Sequence, residues 1–376
     1  MADSSRKLAD DGGIQNRDGA GVIESDRQSS CSTWSGRGLP YLTRDVKLGL
    51  LFVGLTISCL LLYSSTNPLK FFPMSYPSYS DRKLYGLERV LRSAAMEDNR
   101  TVILTTLNDA WAEPGSIFDV LLESFRVGNG TRELLDHVVV VALDKKAFHR
   151  CLQVHPHCFA LTSNGNDFSG EADFMSHNYL DMMWRRIDFL GVVLEKGFDF
   201  VFTDTDIVWL RSPFPHFYPD ADFQIACDFY NYEAADKRNR PNGGFTYVRS
   251  NQRTVKFYKY WYQSRKSYPG NHDQDVLNQI KSHKYLEDIG LQMRFLDTAY
   301  MGGFCQLSKD LGLICTVHAN CCIGLDNKIR DLLTVLDDWK KYLAGNGTGD
   351  WTVPRDCVGS FDRPHKPHKH GLRRLV

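Results

Sequence analysis

The 376 residues are 43% hydrophobic and 24% charged, with Lys+Arg and Asp+Glu balanced at 45 each. This is the mix of one large globular domain or two modest ones. It excludes a strongly basic chain overall. With no basic run or nucleic-acid motif either, no nucleic-acid partner is expected, and any acidic ligand has to be met by a local site.

In chain order, residues 1–47 are rich in Ser, Gly, Asp and Arg without periodicity and read as a disordered cytosolic tail. Residues 48–63, Leu48 to Tyr63, form sixteen uncharged residues, short against the ~20 that cross a bilayer core and suited to a thinner membrane of the secretory pathway. Arg37, Arg44 and Lys47 precede this run, and only Lys70 follows within fifteen residues. The excess of positive charge on the N-terminal side predicts a single-pass type II signal-anchor with the remainder of the chain lumenal. A cleaved signal peptide and a buried core helix are the alternatives. Residues 64–98, with Pro68, Pro73 and Pro77, read as a stem that turns helical near Tyr85–Met96. Glycosylation sequons begin at Asn99, Asn129 and Asn346, all after the apolar run. Of ten cysteines, eight follow that run, an even number that fits disulfides in an oxidising compartment. Cys151 with Cys158 and Cys305 with Cys315 are the local pairs expected first, and reduced cytosolic thiols are the alternative.

From Thr101 onward strands and helices alternate. The pattern predicts strands over 101–107, 137–143, 200–203, 223–227, 245–249 and 293–296. It predicts helices over 116–127, 148–154, 179–196, 254–264, 273–281 and 332–343. Such alternation over residues 99–376 implies an α/β domain with a mostly parallel, Rossmann-like sheet flanked by helices. Ligands bind such sheets at the carboxyl ends of the strands.

The segment Phe200-Val-Phe-Thr-Asp204-Thr-Asp206-Ile-Val-Trp-Leu210 carries the main chemical signal. A buried strand ends in two carboxylates one residue apart, facing the same way. Like charges so close repel unless a cation lies between them, and hard oxygen ligands suit Mn²⁺ or Mg²⁺. A solvated turn is the plain reading. A rival is the opening of haloacid-dehalogenase phosphatases, an apolar strand followed by Asp-x-Asp-x-Val, in which Asp204 would be a nucleophile. Asp337-Asp338 resembles that family's later acidic pair but lies in an amphipathic pattern and reads as a solvated helix face.

Around this motif the chain resembles the plant nucleotide-diphospho-sugar transferases of glycosyltransferase family 77. The likeness is carried by Phe202 to Phe214, Met182-Met-Trp-Arg-Arg186, Asn242-Gly-Gly-Phe245, His272-Asp-Gln-Asp-Val-Leu-Asn278, Gly302-Gly-Phe-Cys305 and His318-Ala-Asn-Cys-Cys322. It implies a GT-A type fold, and together with the anchor a Golgi membrane enzyme is expected. Such an enzyme moves a sugar, a pentose such as arabinose or xylose or else galactose, from a UDP-sugar donor to a cell-wall glycan or glycoprotein acceptor with retention. It also implies roles. Asp206 and His318 would ligate the metal, and Asp204 would contact the metal through water or the nucleotide ribose. Asn242 and Gly243 would meet the sugar, Thr106 and Asn108 the nucleoside, and Arg185 or Arg186 the diphosphate. Asp273, Gln274 or Asp275 would stabilise charge at the anomeric carbon. The plain alternatives are a structural histidine or a zinc ligand beside Cys321-Cys322, a turn before a strand at Asn242, a helix cap at Asp273 and a surface arginine. A catalytically silent scaffold or sugar-binding protein of the same fold is the reading outside enzymes.

Overall fold

The computed structural model describes residues 46, 48–50, 52–57, 79–161, 175–345, 347 and 349–360. Residues 52–57 are helical and exposed, and the rest of the expected span lies largely outside the described residues, as does Asn346. Among the described residues no helix is long and apolar enough to cross a membrane. The chain divides into two units, Met1–Tyr76 and Pro77–Val376, and all the described strands belong to the second.

The strands of this second unit are β1 (Thr101–Leu107), β2 (Val138–Ala142), β3 (Cys158–Ala160), β4 (Asp199–Thr203), β5 (Ile207–Trp209), β6 (Phe223–Phe229), β7 (Arg240–Val248), β8 (Met293–Phe295), β9 (Met301–Gly303) and β10 (Thr316–His318). Its longer helices are α1 (Tyr79–Ala94), α2 (Ile117–Val127), α3 (Lys145–Val154), α4 (His177–Glu195), α5 (Gln252–Ser264), α6 (Asp273–Ile280) and α7 (Leu325–Ala344). Seven strands form one sheet in the order β3-β2-β1-β4-β7-β6-β8. Only β7 runs against its neighbours β4 and β6; the other four pairings are parallel. The mostly parallel α/β sheet expected from the sequence is present.

Alternation along the strands sends side chains to two cores. Val102, Leu104, Val139, Phe200 and Phe202 meet α1, α4, α5 and α6 on one face. Ile103, Val138, Val140 and Val201 meet α2 and α3 on the other. Strand β2 is buried along its whole length, as its unbroken run of valines requires when helices cover both faces. Leu87, Leu91 and Ala94 of α1 are buried, so the helix expected in the stem packs into the folded body.

Three expectations need correction. The Asn242-Gly243-Gly244 run lies inside β7 rather than before it, because irregular pairing with β6 lets the strand start at Arg240. Helix α7 starts at Leu325, earlier than expected, since the polar first turn hides a buried Leu325. Asp338 is buried and accepts the N–H of Thr352 at 2.7 Å, so only Asp337 of that pair faces solvent. The strands that went unanticipated, β3, β5, β9 and β10, are three residues each, too short to show a period.

Candidate active site

Beyond β4 the chain leaves the sheet through Asp204-Thr205-Asp206. The Asp204 N–H donates to the Gly244 carbonyl of antiparallel β7 at 2.7 Å. Thr205 Oγ1 donates to the Thr106 carbonyl at the end of β1, at 2.6 Å. The turn is thus pinned on both sides. The next residue opens β5, which pairs antiparallel with β10 and sets His318 opposite Ile207. This three-strand ladder carries a histidine from a distant part of the sequence to the acidic pair. His318 Nε2 lies 3.3 Å from Asp206 Oδ1, and one ligand atom from each of Asp204, Asp206 and His318 falls within 4.8 Å of the others.

Asp206 is 1% exposed. Its Oδ2 accepts from Lys328 Nζ at 2.6 Å, while Oδ1 is buried without a hydrogen bond. Burial opposes ionisation of Asp206, but Lys328 and His318 outweigh it and hold the carboxyl below the usual carboxylate range. Asp204 is pushed the other way, by burial and by the charge of Asp206 against Arg186. A buried carboxylate oxygen with no well-aligned hydrogen bond, facing the His318 imidazole and close to a second carboxylate, fits a divalent cation with hard or borderline ligands.

Arg186 stands on the other side of Asp204. Its guanidinium is almost wholly buried and donates to Asp204 Oδ1 at 3.0 Å and to Asp273 Oδ2 at 2.6 Å. It also lies over the Phe202 ring, 4.9 Å from its centre. Burial disfavours the Asp273 carboxylate too, and Arg186 reverses the balance and lowers its pKa.

Asp228, at the end of β6, organises a further group that the sequence pattern did not single out. Its Oδ1 accepts from Asn242 Nδ2 at 2.7 Å and Asn320 Nδ2 at 2.8 Å, and its Oδ2 accepts from Gln274 Nε2 at 2.9 Å. The carbonyl ends of these amides accept backbone N–H groups of Gly244, Cys305 and Gly243. Every amide is therefore fixed in orientation. Gly244 is required here: a Cβ on it would stand 2.5 Å from His318 Cε1 and 2.6 Å from Asp204 Oδ2.

The expected residues divide as follows. Asp204, Asp206 and His318 meet one another. Asn242, Gly243 and Gln274 adjoin them through Asp228 and β7. Asp273 reaches Asp204 only through Arg186, and the cap of α6 is His272, whose Nδ1 accepts the Gln274 N–H at 3.2 Å. Asp275 is half exposed and lies 3.4 Å from His272 Nε2, away from the acidic pair. Thr106 borders the site through its carbonyl, while Asn108 caps a single helical turn by accepting the Trp111 N–H at 3.2 Å. Arg185 turns to a separate cavity, since consecutive helical residues point about 100° apart; Arg186 is the arginine that meets the carboxylates. The unforeseen members are Asp228, Asn320 and Lys328. Asp228 had a signal, an acid immediately after a predicted strand, as Asp204 has. Asn320 lay inside the His318 motif. Lys328 had none.

Two disulfides clamp this region, Cys305–Cys321 and Cys322–Cys357, and a third joins Cys151 to Cys158. The expected Cys305–Cys315 pair does not form. Cys315 points into the hydrophobic core as a buried thiol, like Cys227, and Cys321, beyond the end of β10, faces Cys305 instead. Asn99 and Asn129 are exposed, while the hydroxyl residues of their sequons, Thr101 and Thr131, are buried.

Residues 133–332 match the model of the nucleotide-diphospho-sugar transferase family. An uncharacterised protein of Arabidopsis thaliana is 50% identical over 291 residues, covering 76% of this chain and 77% of the relative. A second from the same organism is 39% identical over 74% of this chain and 85% of the relative. A third, UDP-D-xylose:L-fucose alpha-1,3-D-xylosyltransferase 3 of Arabidopsis thaliana, is 24% identical over 74% of this chain and 76% of the relative. With the family model spanning more than half the chain around an Asp-Asp-His cluster, the chain belongs to the nucleotide-diphospho-sugar transferase family and is a glycosyltransferase.

Proposed function

We propose that this chain transfers a sugar from a UDP-sugar to a glycan or glycoprotein acceptor with retention, using Mn²⁺ or Mg²⁺ held by Asp204, Asp206 and His318. The observation that carries the reading is the cluster itself, ligand atoms of Asp204, Asp206 and His318 within 4.8 Å of one another around the buried Asp206 carboxylate, with Lys328 beside it. When bound, the cation would neutralise charge on the leaving diphosphate.

The chain's own residues supply the rest. Lys328, in the first turn of α7, adds positive charge where a helix N-terminus already favours anions. Arg186 fixes the direction of Asp204. Gly243 and Gly244 allow close backbone approach, and the amides that Asp228 orients offer fixed hydrogen bonds to sugar hydroxyls. No side chain is needed as a nucleophile if the departing phosphate oxygen helps deprotonate the acceptor.

The donor is a UDP-pentose or UDP-galactose. This is supported by relatives named for UDP-xylose and by one from Dictyostelium discoideum named UDP-galactose:fucoside alpha-3-galactosyltransferase, 37% identical over 25% of this chain. A Golgi location with the catalytic body lumenal, behind a single membrane anchor, is supported by the apolar run at 48–63, the one-sided sequons and the three disulfides. The test is UDP release by secreted residues 70–376 from a panel of UDP-sugars, with Mn²⁺ and with chelator. Metal-dependent release from one donor is expected. A folded protein that binds no UDP-sugar would refute the reading.

A further inference from the structure

Helix α4 presents a second set of side chains to a cavity on another face. Arg186 points to Asp204 and Asp273, whereas Arg185 and Trp184 line a cavity of about 730 Å³ between α4, α5 and the chain before α6. That volume is within the ~300–1,000 Å³ typical of small-ligand sites. Phe159 and Phe189 stack on its apolar side, with ring centres 6.0 Å apart. Tyr262 and Tyr268 add two more rings, and the Arg265 guanidinium lies 3.5 Å from the Tyr262 ring centre. Among these rings stand two carboxylates, Asp181 and Asp188, and two guanidiniums, Arg185 and Arg265.

This lining selects a chemistry. His177 also lines the cavity and lies 3.3 Å from Asp181, so the polar groups form a mixed acidic and basic rim that fatty chains or purely apolar peptides would match poorly. A strongly anionic glycan would meet two carboxylates. Balanced charges interleaved with aromatic faces suit a neutral sugar chain, whose C–H faces pack on rings and whose hydroxyls both donate and accept. The cavity is also joined to the transfer site. Trp184 Nε1 donates to the Asn271 carbonyl on its rim at 3.1 Å, and the chain continues directly into His272 and Asp273, the partner of Arg186.

We infer that this cavity is a binding site for a neutral oligosaccharide, holding the part of an extended acceptor that lies beyond the sugar being modified. The inference rests on the transferase reading for its purpose, but its binding test does not. Calorimetry with the secreted protein would compare xylose with xylohexaose, arabinohexaose and β-1,4-galactohexaose. Wild type, Tyr262→Ala and Asp188→Ala would be compared, with UDP binding in the presence of Mn²⁺ measured on the same samples. Asp188 is exposed, so its replacement keeps the fold. At least one hexasaccharide is expected to bind more tightly than xylose and to lose about tenfold in affinity in each variant. Failure of all three hexasaccharides to bind folded wild type at millimolar concentration would overturn the inference. So would affinity unchanged from wild type in both variants, or binding of a proline-rich peptide in the cavity in place of sugar. Loss of UDP binding with Tyr262-dependent sugar binding intact would instead bring down the donor reading and leave the cavity standing.

Discussion

Replacing Gly244 by alanine should disable the site while leaving the fold. The added Cβ would stand 2.5 Å from His318 Cε1, 2.6 Å from Asp204 Oδ2 and 2.9 Å from Asn242 Oδ1. Carbon contacts settle near ~3.5–4.0 Å, so the histidine and the carboxylate must each retreat by about 1 Å. Overpacking of this kind costs roughly 1–3 kcal/mol, a fall of about 2–10 °C in Tm for a body of this size. A displacement of about 1 Å among catalytic groups can cost roughly a hundredfold in rate. Gly243→Ala is the internal comparison: its Cβ would meet Arg186 Nη2 at 3.3 Å and Asp273 Oδ2 at 3.5 Å, so a small adjustment suffices and the loss should stay below about tenfold. Metal-dependent UDP release and thermal melting of both variants decide the matter. Gly244→Ala working at close to the wild-type rate would refute the argument that Asp204 and His318 act as tightly set neighbours.

Arg186→Leu should leave Asp204 and Asp273 as buried carboxylates without their counter-ion, at a cost of roughly 3–5 kcal/mol. In wild type the Asp273 pKa is depressed, so its contribution is present above the unfolded pKa near 3.8 and is lost as pH falls through the folded value. In the variant burial should raise that pKa, so melting from pH 8 to pH 4.5 should show the variant's deficit relative to wild type shrinking as pH falls, whereas Asp273 adds no pH dependence to wild type in that window. Asp228→Ala should strand the amide donors of Asn242, Asn320 and Gln274, each worth about 1–3 kcal/mol if left unpaired; donor KM should rise and Tm drop, and steady-state kinetics with melting would show both. In native residues 70–376, Cys227 and Cys315 should resist thiol reagents until the protein is denatured. Burial pushes the Cys315 pKa up to about 11 and that of Cys227 higher still. Titration with a chromogenic disulfide before and after guanidinium would count them, and rapid labelling of two thiols in the native state would contradict the packing.

The sheet was readable from the chain because its strands are long, β-branched and buried, as Val138–Ala142 illustrates. Asp204 and Asp206 were readable for a related reason: charge at the end of an apolar run is conspicuous. His318 came from family likeness, and only the β5–β10 register explains why it arrives beside Asp206. That ladder consists of three-residue strands with no pattern of their own. Arg186 and Arg185 are adjacent in sequence, and choosing between them needed the rotation of α4. Lys328 stayed hidden because a lysine in a polar first turn looks like surface until α7 packs it against Asp206. Cys315 was mispaired because sequence spacing says nothing about which way its side chain points.

The central claim is that Asp206 and His318 hold a divalent cation that binds together with a nucleoside diphosphate. Titrating Mn²⁺ into the protein with and without UDP, followed by electron paramagnetic resonance of free Mn²⁺, tests it most directly. Wild type should bind Mn²⁺ more tightly when UDP is present, and Asp206→Ala and His318→Ala should each lose about a hundredfold or more in that affinity. UDP binding to wild type that is as tight in chelator as in Mn²⁺, and unchanged in both variants, would contradict the account.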